Sequence, residues 1–405
     1  MAMSAVNPTE RVRKIEYAIR DVIPYAKQVA MTGKKIYYLN IGDPNAFDFD
    51  TPPHIKEALK KAVESGDKAN AYSPSEGLPE LREAISQKER RLNGVEISPD
   101  DVIVTSGISE GIEMIMAALI NPGDEILLPG PTYPPYIAYA KFFGGNPVTY
   151  ETVEENGWQP NIDDLRKKIS KKTHVIAIIN PNNPCGALYE SKVVKEILDL
   201  SAEHEITILS DEIYDQIVFG KKFVSTAHLT KDVPIVGLNG FSKAYLMTGW
   251  RLGYLYFYNP QGRLKQLKDC VEKEARIRLC ANTPVQEAGV AALNGPQDHI
   301  KVTVAKIKER SNFAWKRLNE IDGISCAKPE AAFYVFPKIH GVGTKWKTDM
   351  DFTLSLLRDT GVLFVHGSGF DPVYGAGHVR GVVLPPLETL EEATDEIEGF
   401  MKKHR

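Results

Sequence analysis

At 405 residues, 43% of them hydrophobic, the chain can bury a sizeable core and is expected to divide into two domains, not necessarily contiguous. Its 49 basic and 53 acidic residues leave a net charge of -4 with no long run of either sign, which argues against a nucleic-acid face. Cys185, Cys270, Cys280 and Cys326 show no CxxC spacing, the start has no apolar signal-peptide core, and no stretch approaches about 18 apolar residues, so a soluble, cytoplasmic, metal-free protein is expected.

The first fifty residues are polar and punctuated by proline, and are expected to pack with the end of the chain. Short Ile/Val-rich runs then alternate with longer amphipathic segments, the pattern of parallel strands joined by crossover helices. The expected strands are "DVIVTSG", "DEILLPG", "HVIAIIN", "ITILSDE", "PIVGLNG" and "WRLGYLYFY", and most are continuously apolar, as when helices cover both sheet faces. Helical periodicity covers 192–202, 264–275 and 300–321. From about residue 324 the texture changes to a smaller α+β unit with strand-like pieces "AAFYVFPKI", "VLFVHGSG" and "HVRGVVLPP".

In an open parallel sheet, ligand-binding residues collect where strands end. Asp211 follows "ITILS", so its carboxylate is expected to enter a buried place and to need a cationic partner; a helix N-cap is the plainer reading. In "TSGISEGIEMIMAAL" a strand passes through Gly107 into a helix whose first N–H groups, at Ile108 and Ser109, would face an anion. That signal is weak alone and strengthens if Arg251 converges on the same anion. Lys243 follows the run "PIVGLNG". Such a lysine is ordinarily solvated, but burial or a neighbouring cation such as Arg251 would make it a neutral amine that attacks aldehydes. With an acid and an anion cradle nearby, the aldehyde that fits is pyridoxal phosphate.

The set "NPNNPCG", "SDEIYD", "GFSKAYLMTGWRLGY" and "GHVRGVVLPP", in this order and spacing, resembles the class I/II aminotransferases of the fold type I pyridoxal-phosphate enzymes. The similarity runs from "LNIGDP" to Arg380, and within the family it is most like the archaeal alanine aminotransferases, with "RLCANTPVQ" similar to their "RLCP" stretch. The resemblance implies an α/β fold: a large domain, residues 48–297, with a mostly parallel seven-stranded sheet covered by helices, and a smaller α+β domain from both chain ends, 1–47 and 298–405.

It also implies roles. Lys243 would attach to the cofactor's aldehyde and then carry the proton between substrate Cα and cofactor C4′. Asp211 would keep the pyridine nitrogen protonated, Asn183 and Tyr214 would hydrogen-bond the phenolic oxygen, and Tyr133 would stack on the ring. The phosphate would lie over Gly107, Ile108 and Ser109, with Ser242 and Arg251 as further donors. Tyr72 would reach the cofactor of a second subunit in a homodimer. Arg380 would bind the substrate carboxylate, assisted by the backbone around Gly42 and by Asn183. The buried strand expected around Val379, Val382 and Val383 supports that assignment, because a buried guanidinium wants an anion.

Two departures stand out: Cys185 replaces the usual threonine and would put a thiol near the cofactor, and Gly240 stands where some members have a serine. The reaction implied is ping-pong transfer of an amino group from L-alanine to 2-oxoglutarate, with closure of the small domain excluding water; aspartate, aromatic or broad donor specificity is the alternative. Arg276 and Arg278 are candidates for a distal carboxylate. From other classes, "GFSKA" is a relaxed nucleophile elbow that a serine hydrolase would pair with His366 or His378, and the β/α alternation suggests a dinucleotide oxidoreductase, although no G-x-G-x-x-G follows the early strands.

Overall fold

A computed structural model describes residues 5–13, 15–66 and 68–404. Its centre is an eight-stranded sheet ordered Val102–Thr105, Gly253–Tyr258, Ile235–Gly240, Thr207–Asp211, Thr173–Ile179, Glu125–Gly130, Asn146–Val153, Gln159–Pro160. Gly253–Tyr258 runs antiparallel to both neighbours and Gln159–Pro160 antiparallel to Asn146–Val153; the other pairings are parallel. All six strands expected from the sequence are present. The count is eight, not the implied seven, because the chain turns back through Gly157 and Trp158, both at positive φ, to add a two-residue edge strand too short to show any periodicity.

The strands are continuously apolar because helices pack on both faces, in two clusters. Leu127, Ile176, Ile178 and Ile208 belong to one, with the helices Pro79–Lys88, Ser191–His204 and Thr283–Asn294. Ile126, Ile179, Leu209 and Val236 belong to the other, with the helices Ile108–Leu119, Pro134–Phe142 and Lys265–Arg278. Each such fully buried side chain contributes about 1.5–3 kcal/mol. A third cluster gathers Tyr37, Leu39 and Phe49 with Ile307, Phe333, Phe364 and Val383. There the segment Tyr37–Tyr38 pairs in parallel with Val362–Leu363, and Val379–Val382 lies between Tyr334–Val335 and Val365–His366. The 23-residue helix Asp298–Glu320 carries the chain into this unit. The described residues contain no helix long and apolar enough to cross a membrane.

Candidate active site

The carboxyl ends of the central strands open on a cavity of about 490 Å³, against which the smaller unit places Arg380 and Tyr334. Gly42, Ile108, Ser109, Tyr133, Asn183, Asp211, Tyr214, Ser242, Lys243, Arg251 and Arg380, scattered over 339 positions of sequence, all line it. Gly107 and Tyr72 do not: Gly107 sits behind the helix start against Arg251, and Tyr72 is 82% exposed and turned to the outside of the chain.

Lys243 stands three residues beyond the strand Ile235–Gly240 and donates from Nζ to the carbonyl of Gly42 at 2.7 Å. Burial is the main cause that pulls its ammonium down to about 8; Arg380 and Arg251 add repulsion, while Asp43 and Asp211 oppose it. Both causes anticipated for a neutral amine therefore operate.

Asp211 ends the strand Thr207–Asp211 and is 3% exposed. Its oxygens accept from the Tyr136 hydroxyl at 2.9 Å and the Ile213 N–H at 3.2 Å, and burial, only partly offset by these bonds, pushes its carboxyl up to about 6. Among the described residues its two hydrogen-bond donors are neutral, and the Lys243 charge is the weakest of the influences that favour its ionised form. A protonated ring nitrogen is the kind of cation such a carboxylate stabilises.

The helix Ile108–Leu119 starts at Gly107, whose φ of 79° suits glycine, and no side chain caps its first N–H groups. A Cβ on Gly107 would come 2.3 Å from Arg251 Nη2, so glycine lets the guanidinium lie against the helix start. Arg251, itself at φ 57°, donates to the Thr248 carbonyl at 3.0 Å. A helix terminus and an arginine thus converge, which is the arrangement that binds a phosphate.

Arg380 is 1% exposed on Val379–Val382, as the apolar neighbours required. It donates to Asn183 Oδ1 at 3.0 Å and to the Asn40 carbonyl at 2.5 Å, and stacks over Tyr334 and Phe370. Among the described residues its Nε finds no acceptor and no carboxylate pairs with it. The Tyr214 hydroxyl bonds that of Tyr334 at 2.6 Å.

The pocket therefore fits pyridoxal phosphate on three grounds: a phosphate cradle, a buried carboxylate whose hydrogen-bond donors are neutral, and an amine of lowered pKa. Other expectations need correction. Cys185 is buried in the apolar core rather than lining the cavity, and burial pushes its thiol well up. At Gly240 a Cβ would meet Gly253 Cα at 3.0 Å, so the close strand approach leaves little space for a serine there. In this chain Arg276 faces Glu272 and Arg278 faces Glu110 and two carbonyls, and neither lines the cavity. The hydrolase pairing fails, since His366 bonds Ser368 and His378 lies against Glu154, both away from Ser242. Tyr17, Arg20, Asp43, Thr248 and Tyr334 line the cavity without having been singled out. Asp43, next to Gly42 in "LNIGDP", was the one a sequence signal could have found.

The profile of the aminotransferase class I and II family matches residues 34–397. The fold matches that of a solved alanine aminotransferase from Pyrococcus furiosus with a TM-score of 0.95 and 54% identity, covering 98% of this chain and 100% of that one. A Haemophilus influenzae glutamate-pyruvate aminotransferase AlaA is 37% identical over 401 residues, 98% of each chain. An aromatic-amino-acid aminotransferase 2 from Thermococcus litoralis is 36% identical over 412 residues, covering 100% of this chain and 98% of its own. The chain belongs to the class I/II aminotransferases and is a pyridoxal-phosphate-dependent transaminase of fold type I.

Proposed function

We propose that the chain transfers the amino group of L-alanine to 2-oxoglutarate, giving pyruvate and L-glutamate, by ping-pong turnover. The observation that carries the assignment of roles is the convergence of Lys243, Asp211 and Arg380 on one cavity, each with capacity for a partner outside the chain. The choice of alanine is supported by the alanine and glutamate-pyruvate aminotransferases to which the chain is similar.

Pyridoxal phosphate, when bound, supplies an aldehyde for amine exchange and a ring that accepts the electron pair released at Cα. The chain's residues do the rest. The Lys243 amine, once unprotonated, would take the proton from substrate Cα and hand it to the cofactor's C4′, a task suited to a base whose pKa is about 8. Asp211 would hold a proton on the ring nitrogen, and Tyr214 and Asn183 would donate to the phenolic oxygen. Ile108, Ser109, Ser242 and Arg251 would bind the phosphate, Tyr133 would lie against the ring, and the planar fork of Arg380 would hold the substrate carboxylate with the backbone at Gly42. Residues 48–297 act as the lobe that binds the cofactor, and residues 1–47 with 298–405 as the lobe that closes over the substrate and excludes water. Tyr72 serves the neighbouring site of a cytoplasmic homodimer, which its exposure in the single chain allows.

Two measurements test this. Protein mixed with pyridoxal phosphate should show a visible band that borohydride fixes onto Lys243, and absence of that adduct would refute the site. A panel of donors with 2-oxoglutarate should favour alanine strongly; equal or better turnover of aromatic amino acids or aspartate overturns the donor assignment.

A further inference from the structure

A second buried charge cluster lies at the end of the helix Pro79–Lys88. Lys88 is 2% exposed and Glu89 0%, although adjacent charged residues of a helix ordinarily meet water. Lys88 Nζ lies 2.5 Å from Asp215 Oδ2 and 3.0 Å from Glu89 Oε1, and it donates to the Tyr254 hydroxyl at 3.3 Å. Asn239 Nδ2 donates to Asp215 at 2.9 Å, Asn93 Nδ2 to Glu89 at 2.6 Å and to Asp215 at 3.3 Å, and the Tyr254 hydroxyl to Glu89. Burial pulls the Lys88 ammonium down, but Asp215 and Glu89 together push it further up, so it stays charged. Glu212, which accepts from Ser210, Ser225 and the Thr226 N–H, is pushed up to about 7, chiefly by burial and then by Glu89.

The chain positions of these groups give the cluster its meaning. Asp215 directly follows Tyr214, Asn239 precedes Lys243 by four residues, and Tyr254 follows Arg251 by three. One ammonium is thus bonded, directly or through a single carboxylate, to each of three segments that bring a polar group to the cavity, while Lys88 itself does not line it. We propose that Lys88 is a positioning residue for the transamination site, fixing Tyr214, Lys243 and Arg251 relative to one another through Asp215, Asn239 and Tyr254. This rests on the reading of the cavity as the pyridoxal phosphate site. If Tyr214 is released, its hydrogen bond to the cofactor weakens, and the pH at which the bound cofactor changes colour should rise.

The test compares holoenzymes loaded with pyridoxal phosphate: wild type, Lys88→Met combined with Asp215→Asn, and the milder Asn239→Ala and Tyr254→Phe. Arg317→Met serves as control, because Arg317 pairs with Asp395 and Glu398 between two helices of the smaller unit, remote from the cluster in its contacts. The pH midpoint of visible absorbance, kcat, KM for alanine and Tm are read for each. The cluster variants should raise the midpoint by about half a pH unit or more and lower kcat about tenfold with KM within about twofold, as for residues that orient a site's contacting groups. The control should lower Tm and leave the midpoint in place. If the double variant fails to fold, the two milder variants decide. Variants with lowered Tm but wild-type midpoint and kcat would show the cluster to be structural only and overturn the proposal. A wild-type protein that takes up no cofactor sinks the underlying site instead.

Discussion

The molecule contains two buried groups of charges that differ in how they are satisfied. Around Lys88 an ammonium, two carboxylates, two amides and a phenol hydrogen-bond one another inside the chain. At the cavity, Asp211 has only neutral donors, Arg380 keeps an unpartnered Nε, and Lys243 holds a single carbonyl. Burying charge is costly in both places, but the first group recovers the cost within the protein. The second leaves it open to be recovered from a ligand, and this difference separates a self-satisfied cluster from a cavity built to receive a partner.

The largest effect should come from the cavity. Lys243→Ala is expected to lower transaminase turnover about 10⁴-fold or more, with loss of the borohydride-fixed adduct by mass spectrometry. The comparison is sharpened on its other side by Lys88→Met alone, which leaves two buried carboxylates without their cation. Denaturant unfolding should show a loss of about 3–5 kcal/mol.

Asp211 gives a prediction with a definite sign. Its carboxyl is raised from 3.8 to about 6 in the folded chain, so the native state holds a proton that the unfolded state has released. Its contribution to stability is therefore full below about pH 4 and declines as pH rises to about 6, by about 3 kcal/mol in total. Cofactor-free Asp211→Asn should lack this decline and unfold at higher temperature than wild type at pH 7, while the loaded variant loses about 10²-fold or more in kcat. If the variant is no more stable at pH 7, Asp211 is better partnered than its contacts indicate.

The smallest of these effects should be that of Arg380→Lys. It keeps the charge and loses the planar fork, so kcat/KM for alanine should fall about 10- to 100-fold, mostly through KM.

Much of the site was legible because continuous Ile/Val runs mark where strands end, and Asp211, Gly107 and Lys243 lie at or within three residues of such ends. Arg380 was legible for a related reason, as a lone charge among valines. The edge strand at 159–160 was hidden by its brevity. The Lys88 cluster was hidden differently: "SQKERR" reads as a solvated charged turn, and only tertiary packing brings Asp215, Asn239 and Tyr254 against it. Arg20 and Tyr17 come from a polar stretch with no periodicity to orient it.

The hydrogen bond from Lys243 to the Gly42 carbonyl joins residues 201 positions apart. A carbonyl oxygen accepts only from an N–H or O–H, so the bond exists only while the amine has a hydrogen directed at it. Gly42 lies in the segment that continues from Tyr37–Tyr38, which is itself paired with Val362–Leu363. The amine therefore pins the segment around Gly42 against the mouth of the sheet. A single side chain thereby ties the loop beyond the strand Ile235–Gly240 to a backbone that is continuous with the smaller unit's pairing.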